Sequence, residues 1–255
     1  MSIEIITLPA LADNYVFLIH NHDTSETALV DCPDDPIIEL ELEKRGWALS
    51  TILLTHHHWD HIDGAVELAN ATGAKIVGAK ADAHRLPKLD QALEPGDSVT
   101  LAGATGTVID VSGHTIGHIA VHFPDLNAVF TADSLMALGC GRLFEGTPDQ
   151  MWESLSKLAA LPPDTVVYSG HEYTQANARF AVTIEPENQD LQSRIEEIET
   201  LRSANRPTVP STLALELKTN PFLRAGLSEV KALIGMPDAT DAESFAEIRK
   251  RKDNF

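Results

Sequence analysis

Ile52-Leu53-Leu54-Thr55-His56-His57-His58-Trp59-Asp60-His61 is the stretch from which the rest of this chain is best read. Its aliphatic start belongs to a β-like run, Thr51–Thr55, so the polar string after it falls in a loop at a strand's C-terminal end. In an extended loop His56 and His58, two apart, share a face and converge on one ion. Asp60 and His61 follow at once and aim at a second ion on the other side. Imidazole nitrogens and carboxylate oxygens are the usual ligands of zinc and of non-haem iron or manganese. Coordinating groups packed this densely are costly to desolvate without a cation. A lone histidine beside a strand is ordinarily a core or surface residue, and His20, His22, His84 and His122 are read that way.

Four such ligands do not fill two coordination shells, so more must come from other strand ends. Three candidates lie just past an apolar run and beside a small residue: His114 after Thr107–Val111, Asp133 after Ala128–Thr131, and His171 after Thr165–Tyr168. Further strand candidates are Ile3–Leu8, Tyr15–His20, Thr27–Asp31, Lys75–Gly78 and Ile119–Phe123, rich in Val, Ile and Thr. Helix candidates in this part are Asp35–Arg45, with Gly46 as its stop, Asp63–Thr72 and Pro148–Ala160. Beyond His171 the pattern turns helical: Tyr173–Val182, Glu187–Ser203, Ser211–Glu216, Leu227–Ile234 and Asp241–Lys252, with no strand between them. The expected organisation is therefore a mixed α/β domain over residues 1–171 and a small helical domain over 172–255.

The 255 residues are 43% hydrophobic, enough for a proper core. No apolar run approaches the roughly 18 residues a membrane span needs. The start, Met1-Ser2-Ile3-Glu4, lacks a basic, apolar leader, so a cytoplasmic protein is expected. Cys32 and Cys140 are far apart and indicate no disulfide framework. The net charge of −19 argues against nucleic acid and anionic membranes as partners. A monomer is expected.

The donors His56-x-His58-x-Asp60-His61, His114, Asp133 and His171 together resemble the metallo-β-lactamase superfamily. A closer resemblance rests on Thr55–His61, Gly139-Cys140-Gly141-Arg142, Phe144-Glu145-Gly146-Thr147, Gly170-His171-Glu172-Tyr173-Thr174, Pro207–Thr212, Asn220-Pro221-Phe222 and Lys252-Asp253. Over nearly its whole length the chain looks like the glyoxalase II, or hydroxyacylglutathione hydrolase, family. The resemblance implies an αββα sandwich followed by a small all-helical domain. It implies two divalent metal ions, zinc first, with iron or manganese as alternatives. His56, His58 and His114 would hold one ion, Asp60, His61 and His171 the other, and Asp133 would bridge them.

Two cations sharing a water lower its pKa from about 15.7 to roughly 7, so hydroxide is available to attack a thioester carbonyl carbon. The implied reaction is hydrolysis of S-D-lactoylglutathione to D-lactate and glutathione, in methylglyoxal removal, with Asp60 and Asp133 as the catalytic carboxylates. Asp60 would also orient the hydroxide, and no serine or cysteine nucleophile is needed. The basic run Arg249–Lys252 alone reads as a solvated helix end. The resemblance makes Arg249 and Lys252 a clamp for the glycyl carboxylate, with Arg142, Phe144 and Tyr173 as further substrate contacts. Many family members carry Tyr where this chain has Phe144. His57, Asp31 and His118 are open between supporting the ligands and a purely structural part. Rival readings at this point are an iron persulfide dioxygenase of the same fold, a non-catalytic metal-binding module, a lactamase and a nuclease. Filled second-metal positions and the long helical tail stand against the dioxygenase, the helical tail against the lactamase, and the negative charge against the nuclease.

Overall fold

The computed structural model describes residues 2–255, which pack as two units. The first runs up to Asp110 and takes in Thr115–Thr131. The second comprises Val111–His114 and Ala132–Phe255.

In the first unit, β1 (Ile3–Ala10), β2 (Asn14–Asn21), β3 (Glu26–Val30), β4 (Ala48–Leu54), β5 (Lys75–Ala79) and β6 (Gln91–Leu93) form one sheet in that order. The first three strands are antiparallel and the rest join in parallel. Parallel neighbours need crossovers. These are α1 (Ile37–Arg45), then α2 (Trp59–Ile62) with α3 (Ala65–Thr72). Gly46, left-handed at φ 67°, ends α1 as its position suggests.

Every residue of β2 is buried, because both faces of the sheet are covered. Val16 and Leu18 point into a core with Ile38 and Leu42 of α1 and Leu68 of α3. Phe17, one residue out of phase, turns to the other face and meets Phe130, ring centroids 5.6 Å apart. Phe130 belongs to a second, antiparallel run of strands: β7 (Ser98–Leu101), β8 (Ala104–Asp110), β9 (Ile119–Phe123) and β10 (Ala128–Ala132). Helices therefore cover one face of the first sheet and a second sheet faces the other.

The second unit holds β11 (Leu135–Met136), β12 (Gly139–Cys140), α4 (Pro148–Ala159), β13 (Val166–Ser169), α5 (Thr174–Ile184), α6 (Gln189–Ser203), β14 (Ser211–Thr212), α7 (Leu213–Thr219), α8 (Ser228–Leu233) and α9 (Asp241–Asp253). Capping boxes start α4 (Thr147 with Gln150) and α9 (Thr240 with Glu243). Leu191 and Ile198 of α6 close on Ala178 and Ala181 of α5. Glu216 is wholly buried and fully used: it accepts from Leu138 N (2.9 Å), Asn220 Nδ2 (3.1 Å), Ser211 Oγ (2.5 Å) and Arg194. Asn220 also donates to Met136 O and Gly139 O, each at 3.0 Å, which ties α7 to the β11–β12 hairpin.

One expectation is corrected. Ser211 and Thr212 do not open a helix but form β14, antiparallel to β13, so a strand does follow His171. Two residues carry no readable alternation, and Thr212 leaves the strand to cap α7 through Leu215 N. Among the described residues no helix is long and apolar enough to cross a membrane.

Candidate metal centre

Strand β4 ends at Leu54, the chain bends at His56, and His58, extended at ψ 144°, precedes α2. Asp60 and His61 thus ride on a single helical turn, not on the loop expected for them. His56 Nε2 and His58 Nδ1 face each other at 3.2 Å. His61 Nε2 lies 3.6 Å from Asp60 Oδ2. Asn14, on β2, donates to both the main-chain oxygen and Oδ2 of Asp60 at 3.1 Å.

Buried Asp31 lies behind these donors. It accepts from Thr55 N (2.9 Å), Thr55 Oγ1 (2.9 Å) and His61 Nδ1 (2.8 Å). His57 Nδ1 lies 3.1 Å from Asp82 Oδ2, and its ring stands edge-on to that of His58, centroids 4.9 Å apart. Asp82 is itself buried and held by Arg85 Nε at 3.1 Å. Gly117 lies so close to Asp82 that a Cβ there would stand 2.1 Å from its carboxyl carbon. His118 stacks on His56, centroids 4.5 Å apart and planes 9° from parallel. Asn14, Asp82 and Arg85 were not foreseen in the sequence. Each is one polar residue far from the histidine string, with no motif to mark it.

In the second unit Asp133, His114 and His171 come together. Asp133 Oδ2 lies 3.4 Å from His114 Nε2 and 3.3 Å from His171 Nε2. Gly170 N donates to Ala132 O (3.0 Å), which brings His171 level with Asp133. The Nδ1–H of His114 donates to Arg142 O at 2.8 Å, which leaves Nε2, on the Asp133 side, as the nitrogen that carries the lone pair. Gly141 makes this approach possible: a Cβ there would lie 2.0 Å from Asp133 O and 2.8 Å from His114 Nδ1. Glu172 accepts from Thr208 N (2.9 Å) and Thr208 Oγ1 (2.7 Å), so the Gly170–Thr174 and Pro207–Thr212 strings meet.

The donors of both units are imidazole nitrogens and carboxylate oxygens. Most are buried, and His61 and His114 each have the far ring nitrogen engaged by an acceptor. That is the chemistry of divalent-cation ligands.

The residues expected on the substrate side differ in kind. Tyr173 stacks on His171, centroids 4.7 Å apart. Phe144 stands edge-on to His114 at 5.2 Å and is 63% exposed. Arg249, expected in the clamp, is only 5% exposed. Its guanidinium donates to Cys140 O (3.0 Å) and to Asp253 Oδ1 (2.8 Å). Lys252 Nζ donates to Ala176 O at 3.1 Å. Burial, and then the cations Arg249, Arg179 and Arg142, push the Lys252 pKa down to about 8. Burial drives Cys140 up to about 11 and Cys32 up to about 12, so neither supplies a thiolate at neutral pH.

Residues 11–171 match the metallo-β-lactamase superfamily model, and residues 172–255 match the model for the hydroxyacylglutathione hydrolase C-terminus. A hydroxyacylglutathione hydrolase of Ruegeria pomeroyi is 60% identical over 255 residues, all of both chains. Among solved structures, ETHE1 from Myxococcus xanthus superimposes with a TM-score of 0.67 at 22% identity, covering 98% of this chain and 90% of its own. TTHA1623 in a di-iron-bound form superimposes with a TM-score of 0.61 at 26% identity, covering 86% and 100%. The αββα fold implied by the motifs is thus the fold of the chain, with the helical C-terminal region after it. End-to-end identity, both family models and a His/Asp donor set on strand ends leave one conclusion: the chain belongs to the hydroxyacylglutathione hydrolase family of the metallo-β-lactamase superfamily.

Proposed function

We propose that this chain hydrolyses S-2-hydroxyacylglutathiones, S-D-lactoylglutathione foremost, releasing D-lactate and glutathione. The observation that carries the reading is one oxygen of Asp133 lying within 3.4 Å of the Nε2 atoms of two histidines. A carboxylate so flanked is suited to be shared between two cations. On the family's pattern His56, His58 and His114 would hold the first ion, Asp60, His61 and His171 the second, with Asp133 as the bridge. The di-iron form of TTHA1623 supports a pair, and zinc is the first choice, ahead of iron or manganese. When bound, such ions make hydroxide available at neutral pH and stabilise negative charge on the carbonyl oxygen.

The chain's own groups do the rest. Asp60, fixed by Asn14, orients the attacking water and accepts its proton. Residues 1–171 form the catalytic domain and residues 172–255 the glutathione-binding one. Phe144 and Tyr173 flank the peptide, while Arg142 and Lys252 attract its glycyl carboxylate. Arg249 joins them only by exchanging Asp253 for the substrate. The leaving thiolate is stable enough to need no strong general acid. The protein acts as a cytoplasmic monomer.

The test is a thioesterase assay on S-D-lactoylglutathione with elemental analysis of the same sample. Turnover with two ions per chain is expected. Asp133→Ala should lose both ions and at least about a thousandfold in kcat, since each Lewis acid contributes several kcal/mol. Two ions without turnover of the thioester would sink the proposal.

A further inference from the structure

Asp31 and Thr55 ligate nothing in the scheme above, yet their hydrogen bonds decide which ring nitrogens are available to ligate. Asp31, His56 and His61 lie close enough together to suggest a cation site of their own. The carboxylate, however, is already committed to three protein donors. Its Oδ1 takes Thr55 N, and its Oδ2 takes both Thr55 Oγ1 and His61 Nδ1. It therefore orients histidines and does not bind an ion.

The proton positions follow from counting. An ionised carboxylate only accepts, so His61 must carry its proton on Nδ1 and leave Nε2 bare. The Thr55 hydroxyl has one hydrogen, and Asp31 receives it. Toward His56 Nδ1, 3.0 Å away, that hydroxyl can only accept. His56 is then also protonated on Nδ1, with Nε2 bare. His118, stacked flat on His56, keeps the ring from swinging out of this position. Asp31 itself sits at φ 60°, a left-handed conformation strained for a non-glycine residue, and its carboxylate lies between the two partners.

We infer that Asp31 and Thr55 are positioning residues forming one relay that fixes the tautomers of His56 and His61, and so prepares a ligand for each of the two ions at once. The inference rests on the proposed two-ion reading. It makes the two ions separable: Asp31 acts on both histidines, Thr55 on His56 alone.

The experiment loads each protein with zinc and follows its removal by a chromophoric chelator, with elemental analysis for stoichiometry and thermal melts to verify folding. Wild type should release two ions. Thr55→Val keeps the methyl bulk but not the hydroxyl. It should weaken one ion by roughly 10–100-fold, the usual effect of losing an outer partner, and leave the other unchanged. Thr55→Ser should restore wild-type behaviour. Asp31→Gly, which accepts φ 60° freely, should weaken both ions. Wild type binding fewer than two ions overturns the two-ion reading and the relay with it. Two ions in wild type, with Thr55→Val either unchanged or weakening both ions equally, overturns the relay alone. So does Thr55→Ser behaving like Val.

Discussion

The donor residues and the substrate-side residues are built on opposite plans. Most donors are buried, with a dedicated partner behind them: Asp31 behind His61, Thr55 behind His56, Asn14 behind Asp60, Arg142 O behind His114. Phe144 and Tyr173 are partly exposed, and Lys252 lies among cations of its own sign. The first plan fixes geometry and tolerates no displacement. The second sets a field and a shape, and its losses come in small steps. On the proposed function, reaction type and substrate affinity would be carried by separable groups, and substitutions should sort accordingly.

The sharpest way to break the donor plan is Gly141→Ala. The new methyl would stand 2.0 Å from Asp133 O and 2.8 Å from a ring nitrogen of His114, against backbone that cannot yield as a flexible side chain would. Overpacking of this kind costs about 1–3 kcal/mol or more, and here it displaces two donors together. The expected result is a fall of more than about a hundredfold in kcat/KM with loss of bound metal. Gly46→Ala is the control. Its φ of 67° is strained but nothing lies within 4 Å. It should lower stability by about 1 kcal/mol with metal content unchanged. Equal effects on metal in the two variants would mean that close approach at Gly141 does not hold the donors.

This contrast also explains what was legible in the sequence. The His56–His61 string announced itself because chelating groups crowded into a few residues have no other stable use. His114, Asp133 and His171 each had only a strand end and a small neighbour to mark them, and the family resemblance singled them out. Strands β1, β2 and β9 and helices α1, α3 and α4 were read nearly to their ends, whereas β4 and β8 were begun three residues late and β6 and β7 were missed. Pairs such as β11 with β12, or β14 on β13, were not read either, since two-residue strands have no period. Least legible were the orienting partners. Asp82 supports His57 from 25 positions away, and the closure of Arg249 onto Asp253 turns a surface-looking cation inward. Contacts of that kind depend on the finished fold, which local pattern does not encode.

A moderate effect should come from Lys252. Its folded-state pKa is lowered from 10.5 to about 8, by burial first and then by Arg249, Arg179 and Arg142. Between those two values the unfolded chain holds the extra proton, so this group's contribution to stability rises with pH across that window. Binding runs the other way. The charge that attracts a carboxylate is present below about 8 and lost above it. KM for a glutathione thioester should rise roughly threefold to tenfold as pH passes through that value, the lower end applying because the ammonium is part-solvated. Meanwhile kcat should hold. Lys252→Ala should have the high KM at all pH values. Identical KM profiles for the two proteins would remove Lys252 from the substrate contacts.

The smallest effect tests the substrate-side plan at its edge. Phe144 presents a bare ring, 63% exposed and edge-on to His114, where many relatives of this family place a phenol. Phe144→Tyr adds one hydroxyl without disturbing the ring's packing. If that hydroxyl reaches the glutathione backbone, it contributes about 1 kcal/mol, a drop in KM of about fivefold with kcat unchanged. The gain is small because water already serves an exposed peptide well. A change in kcat instead would show that the ring also steadies His114, and the division between geometry and affinity would then fail at this residue.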